Sequence, residues 1–145
     1  MTARTSAQYL AGIEDEREVW LGARRIDVSS DPAMAGSLGG MAGYFDWQRQ
    51  HADDCLARDP VTGEEMNASL ILPRSKEALE VRHRAFDRFA RYSHGMLGRT
   101  PDYVNVTLAG FTARRDIFVA GSDERYAQNI ENFYREVVEK DLSMT

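Results

Sequence analysis

Arg99 and Tyr103 stand four residues apart in the run Ser93-His94-Gly95-Met96-Leu97-Gly98-Arg99-Thr100-Pro101-Asp102-Tyr103. Pro101 lies between them, so they cannot share an uninterrupted helix. A corner of this kind can bring a guanidinium and a phenol to face one ligand. Arginine offers a permanently charged, forked donor and tyrosine a single hydroxyl. That pairing suits recognition of an oxyanion or a phenolic oxygen. The structural alternative is a tight turn between helices, with Arg99 satisfied by Asp102 or by a helix C-terminus.

The remaining chemistry-bearing residues form no comparable constellation. Cys55 is the single cysteine, which rules out an intrachain disulfide and a cysteine zinc cluster. A lone thiol with no histidine partner in view reads as inert. His51, His83 and His94 are spaced for no common metal site, and neither a His-Glu-x-x-His nor a Gly-x-Ser-x-Gly motif occurs. Gly36, Gly39, Gly40 and Gly43 could suggest a phosphate loop, but no strand precedes them and no Gly-Lys-Ser/Thr follows. Close packing against another backbone is the better reading. Arg82, Arg84, Arg88 and Arg91 read as a solvated face paired with Glu77, Glu80 and Asp87.

The elements that must position the corner are mostly helical. Thr5 or Ser6 caps a short helix through Tyr9, Leu10 and Ile13. Residues 18–26 read as a β-hairpin turning at Gly22, with Trp20 as its expected anchor. Asp31-Pro32 is a helix start, followed by an apolar stripe at Met34, Leu38, Met41 and Phe45. A polar turn covers residues 58–65, and a short strand is expected from Met66 to Leu72. Ser75 caps a long helix whose inner side carries Leu79, Phe86, Phe89, Ala90 and Ser93. Val104 to Phe111 is apolar enough for either a buried helix or a strand. Ser122 caps the last helix, with Asp123 and Glu124 in its first turn, Lys140 at its end, and Tyr126, Ile130, Phe133 and Val137 on one face. The sum is a mainly α domain with a small β-hairpin and strand element.

At 145 residues, with 43% hydrophobic and 28% charged residues, the chain fits one ordinary globular domain. A net charge of -5 argues against nucleic-acid binding. No apolar run approaches the ~20 residues of a membrane span. No apolar h-region follows the N-terminus, so a cytoplasmic location is expected.

The sequence resembles the N-terminal part of the 4-hydroxyphenylacetate 3-hydroxylase family, the oxygenase components of two-component flavin monooxygenases. The likeness begins at Gln8-Tyr9-Leu10 and the Trp20 to Ile26 hairpin and continues through Asp31-Pro32. It peaks at Ser93 to Tyr103, where the Gly98-Arg99-Thr100-Pro101-Asp102-Tyr103 string is specific. It ends in the helix from Asn129, with Glu139-Lys140-Asp141-Leu142 also family-like.

This resemblance implies an acyl-CoA-dehydrogenase-like plan. Residues 1–145 would be the N-terminal helical domain, with a middle β domain and a C-terminal, tetramer-forming bundle expected outside this chain. The implied reaction is ortho-hydroxylation of a phenol, using oxygen and reduced FAD supplied by a separate flavin reductase. Arg99 and Tyr103 inherit the role of substrate contacts, and a histidine contact is expected beyond the last helix. This chain alone is then expected neither to bind FAD tightly nor to catalyse. Its implied partners are a phenolic substrate, the reductase, the missing domains or a complementary subunit, and further copies in a homo-oligomer. Nucleic acid and membrane are not among them. Two alternatives are a fragment related to 4-hydroxybutyryl-CoA dehydratase and a stand-alone domain that binds without catalysis. An isolated domain should also expose an apolar patch, expected at Val104, Val106, Leu108 and Phe111.

Overall fold

The computed structural model describes residues 3–60, 62–96, 102–119 and 123–144. Helix α1 (Ser6–Ala11) starts at a capping box in which the Thr5 hydroxyl accepts from Gln8 N and the Gln8 side chain accepts from Thr5 N. Strands β1 (Val19–Leu21) and β2 (Arg24–Ile26) pair antiparallel, with Trp20 opposite Arg25, around Gly22 at φ +62°. Helix α2 (Ala35–Gln50) and the single turn α3 (Ala52–Cys55) follow. Strands β3 (Leu56–Arg58) and β4 (Glu65–Asn67) form a second antiparallel pair, succeeded by a 3-10 turn at Ala68–Leu70. Helices α4 (Lys76–Ser93), α5 (Asp102–Ala113) and α6 (Arg125–Lys140) complete the domain, with a 3-10 turn at Arg115–Phe118 between the last two.

Two apolar clusters make the core. Tyr44, Phe45, Cys55, Ala68, Ala85 and Phe89 form one, joining α2, α3 and α4. Met66, Leu70, Leu108, Val137 and Val138 form the other, joining β4, α5 and α6. The short 3-10 turn contributes Ala68 to the first and Leu70 to the second, so it links them. Helix α5 packs on that turn and on α6. This fixes Val104 to Phe111 as helix.

Several expected faces turn out differently. Trp20 is 58% exposed, and the hairpin is instead held by buried Ile26. Helix α2 begins three residues after Pro32, because the Asp31 carboxylate accepts from Ala33 N and pairs with Arg24, capping a separate turn first. The expected strand after Met66 stops at Asn67, whose side chain accepts from Ser69 N and opens the 3-10 turn. In α4 the buried positions are Ala85 and Phe89, while Leu79 and Ala90 are exposed. In α6 they are Ala127, Val137 and Val138, leaving Tyr126 and Phe133 outside. Ser122 lies outside the described residues; Asp123 accepts from Arg125 N, and Glu124 is the cap, so both acids precede α6. Leu108 is buried rather than part of an exposed patch.

Among the α2 glycines, only Gly43 shows the close approach expected of the set. A Cβ there would collide with the Tyr92 hydroxyl, which donates to the Gly40 carbonyl at 2.7 Å. At Gly36, Gly39 and Gly40 a Cβ would meet open space.

Candidate functional site

The corner begins where α4 ends. His94 and Gly95 both adopt left-handed backbone, at φ 52° and 77°, and Gly95 N donates to the Ala90 carbonyl at 2.9 Å. Two successive left-handed residues cannot extend a helix, so the chain turns out of α4 here. Arg99 lies outside the described residues. Tyr103 is described: it sits in the first turn of α5 and is 67% exposed, with its carbonyl accepting from the Thr107 hydroxyl at 3.0 Å. The N-terminal end of α5 carries positive dipole, which favours an oxyanion beside it.

Behind Tyr103, α5 buries Asn105, Leu108, Ala109 and Thr112. Asn105 Nδ2 donates to Ser69 Oγ at 2.7 Å, and Ser69 Oγ donates to Asn67 Oδ1 at 2.6 Å. Asn67 Nδ2 then donates to Gln48 Oε1 at 2.7 Å and to the Tyr44 hydroxyl at 2.6 Å. Gln48 Nε2 donates to Asp141 Oδ2 at 2.8 Å, and Arg4 N reaches the same oxygen at 3.0 Å. Sequence reading singled out none of these polar residues as part of a site. The available signal was an asparagine inside each of two apolar runs, Asn67 and Asn105.

Other candidates resolve into structure. Cys55 is fully buried, and its thiol is pushed up to about 12, by burial first and the neighbouring Asp54 charge second. It is no nucleophile in that state. Arg84 and Arg88 do not pair along their own helix as expected; both meet Asp54 of α3, at 3.8 and 2.5 Å. Arg91 does pair with Asp87, at 2.8 Å. These residues and His83 line an open groove of about 340 Å³. A second groove, about 520 Å³, lies between the end of α1 and the first hairpin, with Arg17 held by Asp15 and Arg25 by Glu18. A flavin ring needs a largely apolar slot with a few convergent polar groups. Neither of these two grooves is such a slot. None of the described helices is long and apolar enough to cross a membrane.

The mostly helical domain shares its fold with part of a known oxygenase. The oxygenase component of 4-hydroxyphenylacetate 3-monooxygenase, solved with FAD and 4-hydroxyphenylacetate, superposes with a TM-score of 0.86 at 28% identity, over 97% of this chain and 29% of that one. Residues 5–145 match the model of the 4-hydroxyphenylacetate 3-hydroxylase N-terminal family, and the chain belongs to that family. The 4-hydroxyphenylacetate 3-monooxygenase oxygenase component of a Geobacillus species is 31% identical over 147 residues, covering 100% of this chain and 30% of the relative. Its counterpart in Thermus thermophilus is 30% identical over 149 residues, covering 99% and 29%. The chain thus spans about 30% of the length of the relatives it matches.

Proposed function

We propose that this chain is the N-terminal, substrate-contacting domain of the oxygenase component of a two-component, FAD-dependent aromatic hydroxylase acting on a phenol. The observation that carries this reading is the family match over residues 5–145, which spans the whole Arg99 to Tyr103 string. The exposed position of Tyr103 at the start of α5 supports it, because a substrate contact must be reachable. Reduced FAD, which reacts with oxygen when bound, would be supplied by a reductase. It would be held largely by parts of the oxygenase other than the described residues.

The roles follow from elementary chemistry. A guanidinium at Arg99 beside a phenol favours the ionised form and raises electron density at the ortho carbon. A hydrogen bond from the Tyr103 hydroxyl to the same oxygen selects which ring carbon is presented for hydroxylation. Each charge-assisted bond contributes about 2 kcal/mol in a site that excludes water.

The test uses Arg99→Ala and Tyr103→Phe in the complete oxygenase. Both should weaken 4-hydroxyphenylacetate binding by about thirtyfold, the equivalent of one such bond. Flavin binding should change far less, and more of the oxygen consumed should escape without hydroxylated product. Unchanged coupling of oxygen use to hydroxylation in Arg99→Ala would refute the assignment.

A further inference from the structure

We infer that Asn105 is a positioning residue for Tyr103, oriented by the Asp141 carboxylate acting through Gln48, Asn67 and Ser69. The value of that positioning rests on reading Tyr103 as a substrate contact; the positioning itself does not.

The chain of hydrogen bonds has one direction. The backbone N–H of Ser69 can only donate, and it reaches Asn67 Oδ1 at 2.9 Å. This fixes the Asn67 amide with Nδ2 toward Gln48 and Tyr44. Gln48 must then present Oε1 to Asn67 and Nε2 to Asp141, whose Oδ2 also accepts from Arg4 N. At the other end, the Ser69 hydroxyl gives its proton to Asn67 Oδ1 and has only lone pairs left for Asn105. Asn105 therefore turns Nδ2 toward Ser69. Each donor points toward Asp141.

The consequence appears at Asn105 Oδ1, a buried acceptor with no partner among the described residues. Flipping the amide would not rescue it, because Oδ1 would then face a serine oxygen with no proton to give. A leucine at this position would bury as well beside Leu108 and leave nothing unpaired. The asparagine accomplishes something leucine cannot: only one rotation of α5 about its axis satisfies Nδ2. Tyr103 precedes Asn105 by two residues, which is about 200° around an α-helix. Locking Asn105 inward against Ser69 thus directs Tyr103 outward, as observed: Asn105 is 1% exposed and Tyr103 67%.

The experiment follows the Tyr103 ring by NMR in the 145-residue chain with labelled tyrosine, assigned by Tyr103→Phe. Asn105→Leu and Ser69→Ala should shift or broaden the Tyr103 ring signals. Thr112→Val, buried on the same helix but with its hydroxyl donating to the Leu108 carbonyl of its own helix, should not. Where the chain binds a phenol, the first two variants should weaken it about tenfold, one hydrogen bond's worth of affinity. Displaced Tyr103 signals with unchanged 4-hydroxyphenylacetate affinity when the same substitutions are made in the complete oxygenase would support the positioning and remove the functional reading instead. Unmoved Tyr103 signals in folded Asn105→Leu and Ser69→Ala would overturn the inference. Should those variants not fold, the unsubstituted chain still decides: slow exchange of the Asn105 side-chain amide protons supports the bond to Ser69, and exchange at the rate of a free amide overturns it.

Discussion

Burial pushes the Asp141 carboxyl above its ordinary range, even though Arg4 N, Gln48 Nε2 and the Arg4 charge pull it down. The Arg4 guanidinium is lowered for the same reason, burial outweighing the attraction of Asp141. Both shifts say that taking the pair out of water costs more than the partners recover from each other, the usual situation for buried ions. A carboxyl raised on folding binds its proton more tightly in the folded chain than in the unfolded one. Its contribution to stability therefore falls as pH rises from the ordinary carboxylate value through the raised one. Asp141→Asn tests this cleanly, because asparagine tolerates the left-handed backbone found there, at φ 45°, and keeps an acceptor for Gln48. Urea denaturation from acid to neutral pH should show stability falling with pH more steeply in the unsubstituted chain than in the variant. Equal slopes would mean that Asp141 does not titrate in that window.

At the scale of elements, Gly43 and Gly39 occupy one helix with opposite surroundings. Gly43→Ala drives a methyl into the Tyr92 hydroxyl and disturbs its bond to the Gly40 carbonyl, so it should cost about 1–3 kcal/mol. Gly39→Ala meets open space and should stabilise α2 by about 1 kcal/mol. Chemical denaturation of the two variants checks the sign of each; two losses would mean that the Gly39 side of α2 is covered. The same contrast explains what could be read in the sequence. Caps and turns are local, so Thr5, Gly22 and Ser75 fall where their chemistry put them. Which stripe of a helix is buried is not local. In α6 the large aromatics Tyr126 and Phe133 outweigh Ala127 in any hydrophobic pattern, yet the inner side is set by how closely α5 and the 3-10 turn approach. There Tyr134, whose hydroxyl donates to the Leu70 carbonyl at 2.8 Å, fits with Val137 and Val138. The Arg99 to Tyr103 string was legible because it is contiguous. The polar chain behind it was not, since Gln48 and Asp141 lie 93 residues apart and meet only in the folded domain.

For the molecule as a whole, burying Tyr134, Val137 and Val138 leaves a row of apolar side chains outside. Phe111, Ile117, Tyr126 and Phe133 are each between 44% and 51% exposed, all of them on α5, α6 or the turn between. Scattered exposed apolar residues are ordinary; four large ones on α5, α6 and the turn joining them are expected to form a patch. The 145-residue chain should therefore bind a hydrophobic dye while fully folded and self-associate as its concentration rises. Tyr126→Ser with Phe133→Ser should remove most of the dye signal and change stability by no more than about 0.5 kcal/mol, as surface changes do. Leu108→Ala should do the reverse. Expected on the surface from its sequence but 7% exposed in the second core cluster, Leu108 should cost about 3 kcal/mol when truncated, by lost burial and the cavity left behind. If the serine pair destabilises the chain as much as Leu108→Ala does, Tyr126 and Phe133 belong to the core and the inner and outer sides of α6 have been exchanged. If it removes the dye signal and leaves stability intact, that side of α5 and α6 is a surface in the free chain.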